Sequence, residues 1–306
     1  MKLLIAIDSS EYSQNVLNEV IRRPWPPDTT ACVLHVLDWP NPPSDPALIS
    51  KVVHSADLLA KSAATKLANA GLRTTTKIVQ GSPRLAVAEY AKEFGANLVL
   101  VGSHGANGLV RFLLGSVAQA TLRRSPRSVE IVRKPVRSSV TASPAMKILL
   151  ATDGSDCSIA AAKSVAQRPW PHDSQVRLVS VIPLVVFFGE GISPSGAPVY
   201  PPPELVDALE KQWSSRASEA LSRAREILNQ AHIRIAESEL QPIGDARESI
   251  LDEAKKWGAD LIVVGSHGYS GVSRFMLGSV SESVAMHAHC SVEVIRTSGA
   301  SENMEQ

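Results

Sequence analysis

Cysteine is scarce in this chain of 306 residues: Cys32, Cys157 and Cys290 are the three, odd in number and far apart. That excludes a disulfide framework and leads us to expect a reducing, cytoplasmic setting. An excess of charge of one sign is also missing. Thirty-one Lys and Arg stand against 30 Asp and Glu, a formal net charge of +1, so no global positive charge is present to hold a phosphate polymer by counterion release. Nucleic-acid binding is therefore not expected. Long apolar runs are missing too: residues 3–7 run straight into Asp8, and 181–188 is broken by Pro183. Both fall far short of the ~20 residues of a bilayer helix, so neither a targeting segment nor a membrane span is expected. With 44% hydrophobic and 20% charged residues, the composition gives no sign of disorder, collagen or coiled coil.

What is present is a repeat. Residues 1–10, MKLLIAIDSS, return as 146–155, MKILLATDGS, and Arg23-Pro24-Trp25-Pro26 returns as Arg168-Pro169-Trp170-Pro171, both at an offset of 145. Val101-Gly102-Ser103-His104-Gly105 returns as Val264-Gly265-Ser266-His267-Gly268, and Gly115-Ser116-Val117 as Gly278-Ser279-Val280, at an offset of 163. The second copy thus carries 18 extra residues, most of them within 183–203, which holds six prolines and three glycines. At ~150 residues per domain the length suits two domains. We expect the first over 1–135, a Ser/Pro/Val linker over 136–145, the second over 146–297, and a tail over 298–306.

Each copy alternates β-branched runs with amphipathic stretches. Residues 2–8, 30–38, 73–79, 97–102 and 128–133 have strand length and no polar alternation, so they read as strands buried on both faces. Between them Val16, Val20 and Ile21, then Leu59, Ala63 and Leu67, then Leu85, Ala88 and Phe94 recur at helical spacing. In the second copy Leu205, Leu209, Trp213, Ala217, Leu221, Ala224 and Leu228 do so over a longer span. This order predicts an α/β fold: two repeated domains, each a parallel sheet with helices on both faces and right-handed crossovers.

Ligands of such sheets bind beyond the carboxyl ends of the strands. Two features fall there in each copy: an acid closing the first strand, Asp8 and Asp153, and a glycine loop closing the fourth. The loop reads G-x2-G-x9-G-S, over Gly102, Gly105, Gly115 and Ser116, and again over Gly265, Gly268, Gly278 and Ser279. Glycines let backbone N–H groups approach an anion, and the following helix adds positive potential. The dinucleotide pattern G-x-G-x-x-G and the P-loop with its lysine are both absent. The plain alternative is that the glycines serve tight turns and helix–sheet packing alone.

These paired motifs, over nearly the whole chain, resemble the ATP-binding branch of the universal stress proteins in tandem form. The resemblance implies Rossmann-like domains with five strands in the order 3-2-1-4-5, ATP and Mg²⁺ as ligands, and a nucleotide-dependent stress or signalling module with a protein partner. It also implies that Gly102, His104, Gly105, Gly115, Ser116 and Val117, and in the second half Gly265, His267, Gly268, Gly278, Ser279 and Val280, line the phosphates. Asp8 and Asp153 would meet the ribose or the cation, and Val36 and Val181 the adenine. Family members pair their last strand across a two-fold axis, so an internal pseudo-dimer is expected over 128–133 and 291–296; a homodimer is compatible with this. The one departure is Asp8-Ser9-Ser10 against Asp153-Gly154-Ser155. A slow ATPase and a nucleotide-free scaffold are the alternatives.

Other residues invite function. His104 and His267 lie inside the glycine loops, where a structural role is preferred over catalysis, and Arg111 and Arg274 stand where a terminal phosphate could be reached. His287, His289 and Cys290 look like a metal cluster, but Arg124, Pro126 and Arg127 replace them in the first copy, which favours helix-dipole neutralisation. Cys157 opens a helix and reads as packing. The cations Arg123, Arg124, Arg127, Arg133, Lys134 and Arg137 read as a solvated face and linker. The insertion over 183–203 reads as a lid or docking loop above the second site.

Overall fold

The computed structural model describes residues 1–39, 44–105, 114–133, 145–183, 202–269 and 277–297. The first half runs β1 (Lys2–Ile7), α1 (Glu11–Arg22), β2 (Thr30–Leu37), α2 (Pro46–Asn69), β3 (Arg73–Gln80), α3 (Pro83–Phe94), β4 (Leu98–Gly102), α4 (Ser116–Arg124) and β5 (Ser128–Val132). The second half runs β6 (Lys147–Ala151), α5 (Asp156–Ala166), β7 (Gln175–Pro183), α6 (Pro203–Gln230), β8 (Ile235–Gly244), α7 (Ala246–Trp257), β9 (Leu261–Gly265), α8 (Ser279–His287) and β10 (Ser291–Ile295). All these strands join in one sheet, β3-β2-β1-β4-β5-β10-β9-β6-β7-β8. Each half is therefore a parallel sheet in the order 3-2-1-4-5, and the two meet where β5 and β10 pair antiparallel, Val129 opposite Val294 and Ile131 opposite Val292. Pairing removes two exposed edges from the molecule.

Alternation along each strand explains the apolar runs. Leu3, Ile5 and Ile7 face α1 and α2, whereas Leu4 faces the layer of α3 and α4. Both faces are covered, so both sets are apolar. β3 departs from this: Arg73, Thr75, Thr76 and Gln80 are exposed. It is the outermost strand, paired with β2 alone, and its polar side chains suit a position open to water. Leu85 and Leu205 also depart from the expected apolar faces, at 42% and 47% exposed. The buried face of α6 begins only at Ala217 and continues through Ala220, Leu221, Ala224 and Leu228.

The two sheet faces close differently. On one, α3, α4, α7 and α8 share a single apolar core that crosses from half to half. On the other, α1 with α2 and α5 with α6 build separate cores. The gap between these holds buried charge. Glu130 and Glu293 stand directly opposite one another on the paired strands. Arg23 grips Glu130 through both oxygens at 2.7 and 2.9 Å and also contacts Glu19, while Arg168 holds Glu293 at 2.9 Å. Both guanidinium groups lie over the ring of Trp170. The repeated Arg-Pro-Trp-Pro corner is thus the charged seam of the pseudo-dimer. The expected lid over 183–203 falls almost wholly outside the described residues, as do Arg111, Arg274, Lys134 and Arg137.

Candidate functional site

β1 and β4 lie side by side, yet α1 leaves β1 toward one face and α4 leaves β4 toward the other. The connections diverge there, the place where open α/β sheets form their ligand crevice at the switch point. Register brings the expected residues together there: Ile7 pairs His35 and Ala6 pairs Val101, so Asp8 just past β1 is level with Val36 near the end of β2 and one residue beyond Gly102 at the end of β4. Val36 and Val181 are half-buried against the shared core.

Asp8 is held from below. Its Oδ1 accepts the Ser10 N–H at 3.0 Å, the Ser10 hydroxyl at 2.5 Å and the Ser13 hydroxyl at 2.8 Å. Oδ2 points at the glycine loop, where a Cβ added at Gly105 would lie 2.9 Å from it. In the second half Asp153 Oδ1 accepts the Ser155 N–H and hydroxyl at 3.0 and 2.6 Å, and a Cβ at Gly268 would again collide with Oδ2. The glycines thus let acid and loop approach closely. Asp-x-Ser-x2-Ser, common to both copies, is the signal that sequence reasoning missed; Ser158, however, turns to Thr152 and the Gly154 N–H instead of the acid.

The Ser9/Gly154 difference changes the turn and leaves one part of the grip on the acid unchanged. Gly154 has φ +85°, a left-handed conformation that Ser9 does not share, yet both aspartates accept from the serine two residues on in the same way. Above Gly154 lies the hydroxyl of Tyr269, a residue 68% exposed whose counterpart in the first half is Ala106.

The loop is braced at both ends. Ser103 N–H donates to Val132 O at 2.9 Å and Gly115 N–H to Ser103 O at 2.7 Å; Ser266 with Ile295 and Gly278 with Ser266 repeat this at 2.8 Å. The N–H groups of Gly115 and Gly278 are therefore engaged within the loop. Those of Ser116 and Val117, and of Ser279 and Val280, open α4 and α8 and have no intrahelical acceptor. Neither helix has a side-chain cap. His104 and His267 bind their neighbouring serine hydroxyls through Nδ1 at 3.2 and 3.0 Å, and each Nε2 is buried without a partner among the described residues. Burial and the Arg296 charge hold His267 below the ordinary histidine range, so at neutral pH its ring is uncharged.

Among the remaining candidates Arg133 departs from expectation. Arg133 is no solvated residue: it donates to Ala285 O at 2.7 Å and Met286 O at 3.2 Å, so this arginine, rather than His287 or His289, satisfies the end of α8. His287 bonds Ser283 O at 2.8 Å, and Cys290 is buried, its thiol pushed up to about 12 by desolvation. Among the described residues no three His, Cys, Asp or Glu side chains lie close enough together to hold a metal. Cys157 packs beneath Gly265 and accepts from the Ser266 hydroxyl at 3.6 Å. No described helix is long and apolar enough to cross a membrane.

The model of the universal stress protein family matches residues 1–133 and again 145–296. A universal stress protein of Mycolicibacterium smegmatis is 28% identical over 304 residues, 96% of each chain. One of Methanocaldococcus jannaschii is 33% identical over 150 residues, 49% of this chain and 81% of its own length. The crystal structure of a universal stress protein from Archaeoglobus fulgidus superposes with a TM-score of 0.63 over 96% of both chains at 21% identity.

Proposed function

The chain belongs to the universal stress protein family, and from that premise we propose that it is a nucleotide-binding member holding two ATP per chain, one in each crevice. One observation carries the reading: twice over, the open first turn of a helix and a carboxylate seated against a glycine face the same switch-point crevice. Such a turn suits phosphate, since first-turn N–H groups and the helix dipole both favour an anion. Among the described residues one carboxylate meets each glycine loop, which fits Mg²⁺ shared with phosphate oxygens and water rather than a cation caged by protein. Asp8 or Asp153 would hold that cation, Ser116 with Val117 or Ser279 with Val280 the phosphates, and Val36 or Val181 the base edge. The orphaned Nε2 of His104 and His267 offers one further donor or acceptor inside each loop.

The nucleotide acts here as a signal that sets conformation or the choice of a protein partner. Efficient phosphoryl transfer needs an oriented nucleophile and charge neutralisation that grows in the transition state. A loop that binds ground-state phosphate gives affinity without turnover. We expect hydrolysis well below ~1 s⁻¹. Denaturing mass spectrometry of the purified chain should release nucleotide, and calorimetric titration should give two sites, falling to one in Gly278→Asp. A chain that carries no nucleotide and shows no saturable ATP binding refutes the reading; turnover lost with His104→Ala plus His267→Ala, binding retained, would make it an enzyme.

A further inference from the structure

α4 and α8 have nine residues each, about 13 Å from a first turn in the crevice to the last carbonyls. Those carbonyls have no partner within their own helix. Each helix's own half supplies one C-cap bond, Ser125 N–H to Thr121 O at 2.9 Å and Ala288 N–H to Val284 O at 3.0 Å, and the carbonyls that follow are taken by the other half. Leu122 O and Arg123 O, at the end of α4, accept from Arg296 at 3.1 and 3.5 Å. Ala285 O and Met286 O, at the end of α8, accept from Arg133 at 2.7 and 3.2 Å, and Cys290 O just beyond accepts at 3.4 Å. The exchange follows from antiparallel pairing, because β5 ends beside the start of β10, where α8 has just finished. The backbone is exchanged too: Arg133 N–H donates to the Ser291 hydroxyl and Arg296 N–H to the Ser128 hydroxyl, both at 3.1 Å.

Each arginine is also one residue from a loop brace. Val132 O holds Ser103 in the first glycine loop, and Arg133 follows it; Ile295 O holds Ser266 in the second loop, and Arg296 follows it. A continuous path therefore runs from the first loop through Arg133 to α8 and the second crevice. A second path runs from the second loop through Arg296 to α4 and the first. Arg123 with Glu282 at 2.5 Å adds a direct contact between the two helices. Burial lowers both guanidinium groups, Arg133 to about 10, which leaves that cation charged at neutral pH beside the negative ends of the dipoles.

We infer that Arg133 and Arg296 are positioning residues acting in trans: each sets the helix that opens on the other half's crevice, so neither candidate site is complete within its own half. The inference rests on reading those crevices as nucleotide sites, and its test separates the two. Peptide-resolved hydrogen exchange on the full chain, with and without ATP and Mg²⁺, reports each helix and each crevice by itself. In Arg133→Gln, amides of α8 should exchange faster without ligand while those of α4 do not change. With ATP, half-saturation of the second crevice should rise about tenfold, the scale of one cation at a partly buried helix end, while the first crevice stays where it was. Arg296→Gln should give the mirror image, and lysine at either position should restore most of the loss, since an ammonium reaches the same carbonyls. If the glutamine variants do not fold, the smaller loss left in the lysine variants, confined to the other half's helix and crevice, carries the comparison. Equal loosening of both helices, or an effect confined to the arginine's own half, overturns the inference. Wild-type protein unprotected by ATP refutes the nucleotide reading, while ligand-free exchange still decides the trans hold.

Discussion

A single methyl group at Gly105 would stand 2.9 Å from the Asp8 carboxylate, closer than carbon and oxygen tolerate. Gly105→Ala must push the acid from its serine bonds or lift the loop. The expected result is loss of ATP at the first crevice by calorimetry, the second intact, with ~1 kcal/mol of stability lost; unchanged binding at both would show that acid and loop need not touch. Glu130 makes a different prediction. Desolvation raises its carboxyl to about 7 against the pull of Arg23, with Glu19 and Glu293 adding to the rise. A carboxyl raised on folding binds more protons folded than unfolded, so its contribution to stability is present at low pH and is lost as pH climbs from ~4.5 to ~7, with a limiting slope of ~1.4 kcal/mol per unit. Urea titrations across that window should show the decline in the wild type and a shallower one in Glu130→Gln. Identical profiles would mean that Arg23 keeps Glu130 ionised throughout.

Helices differ in how their first turns are closed. Asp45, Ser155 and Asp245 cap α2, α5 and α7 with their own oxygens, whereas Gly115 and Gly278 leave α4 and α8 open at the crevices. Capping by an aspartate is worth ~1 kcal/mol, so Asp245→Ala should lower the unfolding free energy by about that much and leave nucleotide binding alone. A variant that loses binding along with the cap would tie α7 to the second crevice. Strand elements divide in the same way: β1, β2 and β4 are apolar on both faces because layers cover both, and β3 is polar because it ends the sheet.

Across the whole molecule, the core under α3, α4, α7 and α8 crosses the β5–β10 pair without a break. Val129, Ile131, Val292 and Val294 are each at most 1% exposed in this arrangement, and separation would present them to water along open strand edges. Residues 1–133 expressed alone should therefore self-associate through β5 or unfold at lower denaturant than the full chain, as light scattering and urea titration would report. A monomeric half as stable as the intact protein would show that the seam contributes nothing.

The duplication, the strands and the glycine loops were legible in the sequence, because hydrophobic period and glycine spacing are local properties that survive without coordinates. Asp8 and the loop were legible as separate features, and only resemblance to a family joined them. Folding decided the rest. Arg133 reads as a solvated cation in a basic run, yet the chain reversal between β5 and β10 carries it to carbonyls more than 150 residues away. Glu130 and Glu293 interrupt apolar strands, and the Arg-Pro-Trp-Pro corner looks like a turn, until pairing brings acids and arginines to one buried seam. Local chemistry sets which elements form; which charges meet depends on contacts between residues far apart in the chain, and those exist only once the sheet has closed.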